Sequence, residues 1–486
     1  MEKSGLTHNG KSLLYIAFAI MLALIIMNIT IPDSLTNVGD ITLTKTGQTA
    51  MAILLFALVL WVTEAIPFHV TGLLAVLLMA LFKVDTFKSI VKAGFGSDIF
   101  IFFLGVLVLS SFITRSGFGK RISMFILSKT GNSTSMIVLG FLIVGALLSM
   151  WLTEMAVAAM LMPLAKAILV EEKVKPLKSN FGKALMIASA WGPVIGGVGT
   201  PAGSGTNPLA VGFLKEMAGV NISFLDWMLF GVPSVLLLIL PTWGIIMMFF
   251  KPEMKTLSRS KDDLNEEYRN LPSMDKDEKT TMAIFLLTIG LWLTTPLLEK
   301  WLELSIPISM PILFTVILLF FPNVSSIKWK EVEREVPWSG ILLVLTGISV
   351  GMMLYQTGAA SWMSVILLAK VGGLHPFMMV LAMILIVSLL KIAFTSNTVT
   401  GTIIIPIVIA LAQNLGIPPI AIALPAALTS SLAFILVTSS PTNVIPYSAG
   451  YFTIADMAKA GLVLTIVASL IMAVTIYVIG SFINIY

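Results

Sequence analysis

Long apolar runs make up most of this chain, and short polar clusters interrupt them at a few places. The first run extends from Leu13 to about Ile31, behind a polar start with Lys3 and Lys11, and a short polar segment, Pro32 to Thr46, follows it. A second run spans about Thr49 to Ile66 and stops at Pro67, and a third covers His69 to Phe82. A fourth covers Asp98 to Ile113, with Ser97-Asp98 as its predicted N-cap. Runs of this kind read as membrane helices, since about 20 apolar residues cross the roughly 30 Å of hydrocarbon. From Met136 to Trp151 the chain is apolar, meets Thr153-Glu154-Met155, and turns apolar again as far as Pro163. Each arm is shorter than a full crossing, which predicts a re-entrant hairpin rather than two spans. After the basic segment Lys173 to Lys183, the run from Ala184 breaks between Gly196 and Pro208. Five glycines and two prolines in that stretch cannot stay helical, so two half-helices joined by an unwound loop are expected. A span from Trp227 to Phe250 closes this half.

The hydrophilic segment Lys251 to Thr281 carries Lys251, Lys255, Arg259, Lys261, Arg269, Lys276 and Lys279, which places it in the cytoplasm. Spans at Met282 to Leu298 and Ile306 to Phe321 and one starting near Ser339 follow. Next come Phe377 to Leu390, Lys391, a polar tip, and Ile403 to Leu411. A run interrupted from Val437 to Asn443 precedes the last span, Ala460 to Ile479. The tip, Phe394 to Thr402, packs five hydroxyls and an amide into nine residues. In hydrocarbon such a cluster persists only inside protein or against a wet cavity.

The two halves share one grammar. Thr153-Glu154-Met155 matches Ser396-Asn397-Thr398, and Pro163 and Pro406 follow at the same spacing. Gly205-Thr206-Asn207 matches Pro441-Thr442-Asn443. Gly105 with Ser116-Gly117 parallels Gly347 with Thr357-Gly358, and Trp61 with Thr63 parallels Trp292 with Thr294. The expected organisation is an N-terminal helix and lead-in over 1–48, a first inverted repeat over 49–250, a cytoplasmic linker over 251–281, and a second inverted repeat over 282–486. Paired discontinuous segments in an inverted repeat are the pattern of a secondary transporter with a site near the midplane.

Composition narrows the chemistry. With 57% apolar and 11% charged residues and a mean hydropathy of +0.99, the chain reads as an all-α polytopic membrane protein. Its net charge of +5 is accounted for by cytoplasmic loops and calls for no nucleic acid. Cysteine is absent, and His8, His69 and His375 lie in unrelated contexts, which argues against a thiolate or histidine metal centre. The hydroxyl clusters have no base beside them, so they suit ligation better than catalysis. No phosphate-binding loop of a primary pump is present.

On these motifs the chain resembles the divalent anion–sodium symporter family of dicarboxylate and citrate transporters. The matching residues are Ser396-Asn397-Thr398, Pro441-Thr442-Asn443 and Thr63-Glu64-Ala65-Ile66-Pro67, within a likeness running from about Met51 to Gly450. The resemblance implies about eleven crossing helices, two re-entrant hairpins and two broken helices. It also implies a homodimer in the bilayer and an elevator motion. Substrate would be held by Thr153, Glu154, Thr206, Asn207, Ser396, Asn397, Thr398, Pro441, Thr442 and Asn443. Sodium would be held at one site by Thr153, Glu154 and Gly199, and at another by Thr395, Asn397 and Ser439. The expected cargo is a C4-dicarboxylate such as succinate, malate or fumarate, moved with Na⁺ across a bacterial plasma membrane, the N-terminus being cytoplasmic.

Two residues depart from the family pattern. Glu154 stands where the other triplet has the neutral amide of Asn397, and a carboxylate there repels an anionic cargo. Either it is protonated, or it meets a cation or lysine, or the cargo is not a simple dianion. Lys391, just before the second tip, either substitutes for a bound sodium or snorkels to the surface. Sodium-independent exchange and proton coupling through Glu154 therefore stand as alternatives, and sequence leaves open whether Glu154 and Lys391 meet.

Overall fold

The computed structural model describes residues 8–39, 41–258, 266 and 268–486; Lys3, Arg259 and Lys261 lie outside them. The first helix is α1 (His8–Asn28). Ten helices follow before the hydrophilic segment: α2 (Lys45–Thr63), α3 (Phe68–Leu81), α4 (Phe87–Phe95), α5 (Ile99–Arg115), α6 (Phe118–Lys129), α7 (Thr134–Ser149), α8 (Glu154–Glu171), α9 (Asn180–Gly196), α10 (Thr206–Ala218) and α11 (Phe224–Phe249). After it come α12 (Lys276–Leu302), α13 (Ser309–Leu319), α14 (Trp329–Glu333), α15 (Trp338–Gln356), α16 (Ala359–Gly372), α17 (Pro376–Ala393), α18 (Asn397–Asn414), α19 (Ile420–Ser430), α20 (Pro441–Tyr447) and α21 (Ile454–Phe482). A single turn at Asp33–Thr36 and a two-residue strand pair, Asn37–Val38 with Ile41–Thr42, sit between α1 and α2.

Eight described helices are long and apolar enough to cross a membrane, or nine if α4 and α5, bent by 42°, count as one span. The lipid-facing pattern is plain on α21. Leu462, Ile466, Leu470, Val474 and Val478 form one exposed apolar row four residues apart, while Met457, Leu464, Ala468, Met472 and Ile476 are buried. An exposed apolar stripe of that length suits hydrocarbon and not water. Inside, helices approach through small residues. Gly192 and Gly196 of α9 lie against the backbone of Leu142 and Ala146 on α7, and a Cβ at Gly196 would sit 2.1 Å from the Ala146 carbonyl oxygen.

Two expectations change. The helices that start at the polar tips run well past Pro163 and Pro406, so that α8 and α18 each have 18 residues, as α17 does, about 27 Å. An interior proline forfeits one hydrogen bond and its neighbours fill the gap, so these helices do not stop at their prolines, while α7 keeps 16 residues. At the start of α5, Asp98 makes no capping bond; Ser97 Oγ accepts weakly from Ile99 N at 3.4 Å. The Asp98 carboxylate pairs with Lys215 at 3.1 Å and accepts from Ser309 at 3.5 Å instead.

Loops are tied to helix ends by acceptors. Glu253, just after α11, accepts from the N–H groups of Asn180 at 3.0 Å and Phe181 at 3.1 Å, and from the Ser179 hydroxyl. Burial alone would raise its pKa, but these bonds at the start of α9 outweigh it and hold the carboxyl below its ordinary range. A depressed folded-state value contributes stability that is present above the unfolded pKa and disappears as pH falls through the folded one. Replacing Glu253 by Gln is therefore expected to cost about 1 kcal/mol at pH 6, the exposed position being discounted. Thermal melting of both proteins in detergent should show the gap closing as the pH is taken below the carboxylate range; a gap independent of pH would refute the assignment.

Candidate functional site

Four irregular segments converge in the interior. Residues 150–153 join α7 to α8, and 394–396 join α17 to α18. Residues 197–205 separate α9 from α10, and 431–440 separate α19 from α20. The packing is crossed: α8 lies against α20, and α18 against α10. Each polar tip therefore meets the helix break of the other half of the chain.

The hydroxyls that start α8 and α18 cap them. Thr153 Oγ1 accepts from Ala156 N, and Ser396 Oγ accepts from Val399 N, both at 3.4 Å. Asn207 and Asn443, both fully buried, staple the two breaks. Asn207 Nδ2 donates to the carbonyls of Gly197 and Thr200, each at 2.7 Å. Asn443 Nδ2 donates to those of Ala433 at 2.7 Å and Leu436 at 3.2 Å. These amide donors hold their own loops in shape, which leaves the oxygens facing outward: Asn207 Oδ1 accepts from Ser431 Oγ at 3.3 Å, and Asn443 Oδ1 has no partner among the described residues.

At the centre, Glu154 and Lys391 are joined through Asn397. Both charged side chains are buried, at 5% and 3% exposure. Asn397 Nδ2 donates to Glu154 Oε2 at 3.2 Å, and Lys391 Nζ donates to Asn397 Oδ1. Thr442 Oγ1 also donates to Glu154 Oε2, at 3.4 Å. Lys391 Nζ donates further to the Ser439 carbonyl at 3.2 Å, while Ser439 Oγ donates back to the Lys391 carbonyl at 3.2 Å. Lys391 thus points inward to the second break and does not snorkel.

Around the first tip lies a different set of oxygens. Glu154 Oε1 and Ser149 Oγ are buried with no hydrogen-bond partner among the described residues. A Cβ at Gly197 would lie 2.3 Å from Glu154 Oε1, and one at Gly203 would lie 2.6 Å from the carbonyl oxygens of both Gly197 and Ser149. Only glycine permits that approach, and carboxylate and carbonyl oxygens are ligands of the kind that hold a hard cation. Gly199 turns elsewhere, its carbonyl lying against Gly231 of α11.

Of the remaining expected residues, Thr206 Oγ1 and Thr395 Oγ1 are buried with no partner among the described residues. Thr398 Oγ1 comes close to Gly205, where a Cβ would lie 3.1 Å away. Pro441 is an exposed first residue of α20. Ser149, Gly197 and Ser431 were not singled out from sequence. Gly197 belonged to the glycine run and Ser431 ends the hydroxyl triplet Thr429-Ser430-Ser431, but Ser149 sits in an apolar stretch that carries no signal of its own.

Known proteins show the same long-range pattern. The family profile described as the sodium:sulfate symporter transmembrane region matches residues 10–485. The sodium-dependent dicarboxylate transporter SdcS of Staphylococcus saprophyticus is 30% identical over 494 residues, 98% of this chain and 93% of that one. SdcS of Staphylococcus aureus is 30% identical over 450 residues, 89% and 85% of the two chains. In fold, the chain is similar to the YdaH transporter of Alcanivorax borkumensis, with a TM-score of 0.56, 14% identity and 98% of both chains covered. The chain thus belongs to the sodium:sulfate symporter family, also called the divalent anion–sodium symporters, and is an integral membrane transporter rather than an enzyme.

Proposed function

We propose that the protein is a secondary active transporter of C4-dicarboxylates, working by alternating access and coupled to Na⁺ at the first tip. The observation that carries this reading is the meeting of two polar helix tips and two helix breaks at one buried cluster. Hydroxyls without partners there, on Thr206 and Thr395, together with Ser396 and Thr398, suit carboxylate oxygens. The N-terminus of α18 adds partial positive charge. Glu154 would repel an anion about 4 Å away by roughly 4 kcal/mol at an effective dielectric of 20, which favours a cation held beside it when the cargo binds. Ser149, Glu154 and the Gly197 carbonyl are the oxygens proposed to hold that Na⁺. The 30% identical SdcS relatives, named as sodium-dependent dicarboxylate transporters, support both cargo and coupling.

An inverted repeat over 49–250 and 282–486, flanking a cytoplasmic linker, is part of the same reading. Its support is the order of elements, in which α2 to α11 correspond one by one to α12 to α21. Trp61 Nε1 donates to the Phe68 carbonyl at 3.0 Å, and Trp292 Nε1 to the Ile308 carbonyl at 2.9 Å, each clamping the next helix of its half. Gly117 and Gly358 both enter the following helix with positive φ, at 82° and 76°. Ser223 with Asp226 and Thr453 with Asp456 form matching capping boxes on the last helices. On this reading the helix pairs α7/α8 and α17/α18 are re-entrant hairpins moved as a body in a homodimer, with the linker and the N-terminus in the cytoplasm.

Uptake of labelled succinate into proteoliposomes tests the proposal. An inward Na⁺ gradient should drive accumulation into empty vesicles, and uptake that needs internal dicarboxylate and ignores Na⁺ would make the protein an exchanger. No uptake by folded protein under either condition would remove the dicarboxylate assignment. Thr206→Val and Thr398→Val keep the side-chain shape and delete a donor to a charged group, worth about 1.5–3 kcal/mol. Each should raise the succinate KM by about 10- to 100-fold with little change in maximal rate; an unchanged KM in both would take these threonines out of the site.

A further inference from the structure

The two tips treat cations differently. Backbone carbonyls at a helix break, joined by a side-chain oxygen from a facing tip, are the usual cradle of a coupling ion in transporters with discontinuous helices. At the second tip those oxygens are Asn397 Oδ1 and the Ser439 carbonyl, and both accept from the Lys391 ammonium. At the first tip the corresponding lysine is missing: six residues before Glu154 stands Leu148, as Lys391 stands six before Asn397. There Glu154 Oε1 and Ser149 Oγ have no partner among the described residues, the other carboxylate oxygen being held by Asn397 and Thr442.

Resting on the reading of this cluster as the ion-coupled site, we infer that the Lys391 ammonium is a tethered cation that takes the second Na⁺ position permanently. The chain therefore binds no more than one Na⁺, at the first tip. Three features fit. The lysine is 3% exposed, so its amine lies inside the protein and not at the surface. Its backbone is tied to the residue its ammonium meets, by the reciprocal bond from Ser439 Oγ to the Lys391 carbonyl. Its countercharge, Glu154, comes from the other half of the chain and reaches it through one amide. An ammonium has the donors to satisfy carbonyl and amide oxygens that would otherwise surround a metal ion. The residues expected from sequence to hold the second sodium, Asn397 and Ser439, thus do not fit a free ion beside this lysine.

The consequence is energetic. A Na⁺ that rides with the cargo couples its gradient to uptake, whereas a tethered ammonium returns with the empty carrier and only balances charge. Giving up one co-transported Na⁺ lowers the accumulation limit about tenfold under a tenfold gradient.

The test counts ions without any organic anion present, so it is independent of the dicarboxylate assignment. Binding of ²²Na⁺ to the purified full chain in detergent should saturate at one ion per chain or fewer, with a Hill coefficient no greater than one. Lys391→Ala, which opens the position and frees both oxygens, should bind one Na⁺ more than wild type and gain thermal stabilisation by Na⁺ over choline. Two Na⁺ per wild-type chain would overturn the proposal even if the variant does not fold. A folded Lys391→Ala protein with an unchanged count would overturn it as well. Failure of succinate uptake alongside the expected counts would instead fault the cargo.

Discussion

A charge removed from water inside a bilayer has to be answered within the protein, and the centre of this molecule is built on that constraint. Glu154 and Lys391 are both buried, and neither could be kept there alone, because an unpaired interior ion costs several kcal/mol. They come from opposite halves of the chain and from different helix tips. Their mutual dependence therefore holds the tips in register. The crossed packing of α8 on α20 and α18 on α10 brings the same four segments together by shape, so charge and packing specify one arrangement. Each end of the relay is also secured locally, Lys391 by Ser439 and Glu154 by Thr442.

The unwound segments need their own support, since backbone polar groups at membrane depth must be satisfied without regular helix bonds. Asn207 and Asn443 do this at corresponding places, each spending both amide protons on carbonyls of its own loop. The same two asparagines read from sequence as substrate ligands. In the structure their donors are spent on their own loops, and only their oxygens are left over, Asn207 Oδ1 for Ser431 and Asn443 Oδ1 with no partner among the described residues. On the proposed reading, donors for an anion come from hydroxyls, and those of Thr206 and Thr395 have no partner among the described residues.

Much of this was legible in the chain itself because hydrocarbon makes patterns severe. Polar clusters such as Ser396-Asn397-Thr398 stand out against apolar runs, and Gly196 to Pro208 could not be a continuous helix. The parallel of Trp61 and Trp292 was visible as spacing, although their shared bond to the next helix was not. What stayed hidden depended on pairing across the fold. Gly197 and Gly199 look alike in sequence, yet one meets Glu154 and the other meets Gly231. The lengths of α8 and α18 were underestimated because an interior proline reads as a stop in water and is tolerated inside a packed membrane bundle. Lys391 was open to two opposite readings until its direction was known.

Asn397 has a part that calls for an amide. Its Nδ2 faces a carboxylate and its Oδ1 faces an ammonium, so the two ends of one amide meet opposite charges. Aspartate would set two anions against each other, and leucine would leave both ions without a bridge. Reversing the amide would place donor against donor and acceptor against acceptor. The orientation is therefore fixed by the charges, and the amide in turn keeps them apart by its own width. A direct ion pair would collapse the tips onto one another and fill the space between them. Held through a neutral bridge, the same two charges balance while the tips stay one amide apart.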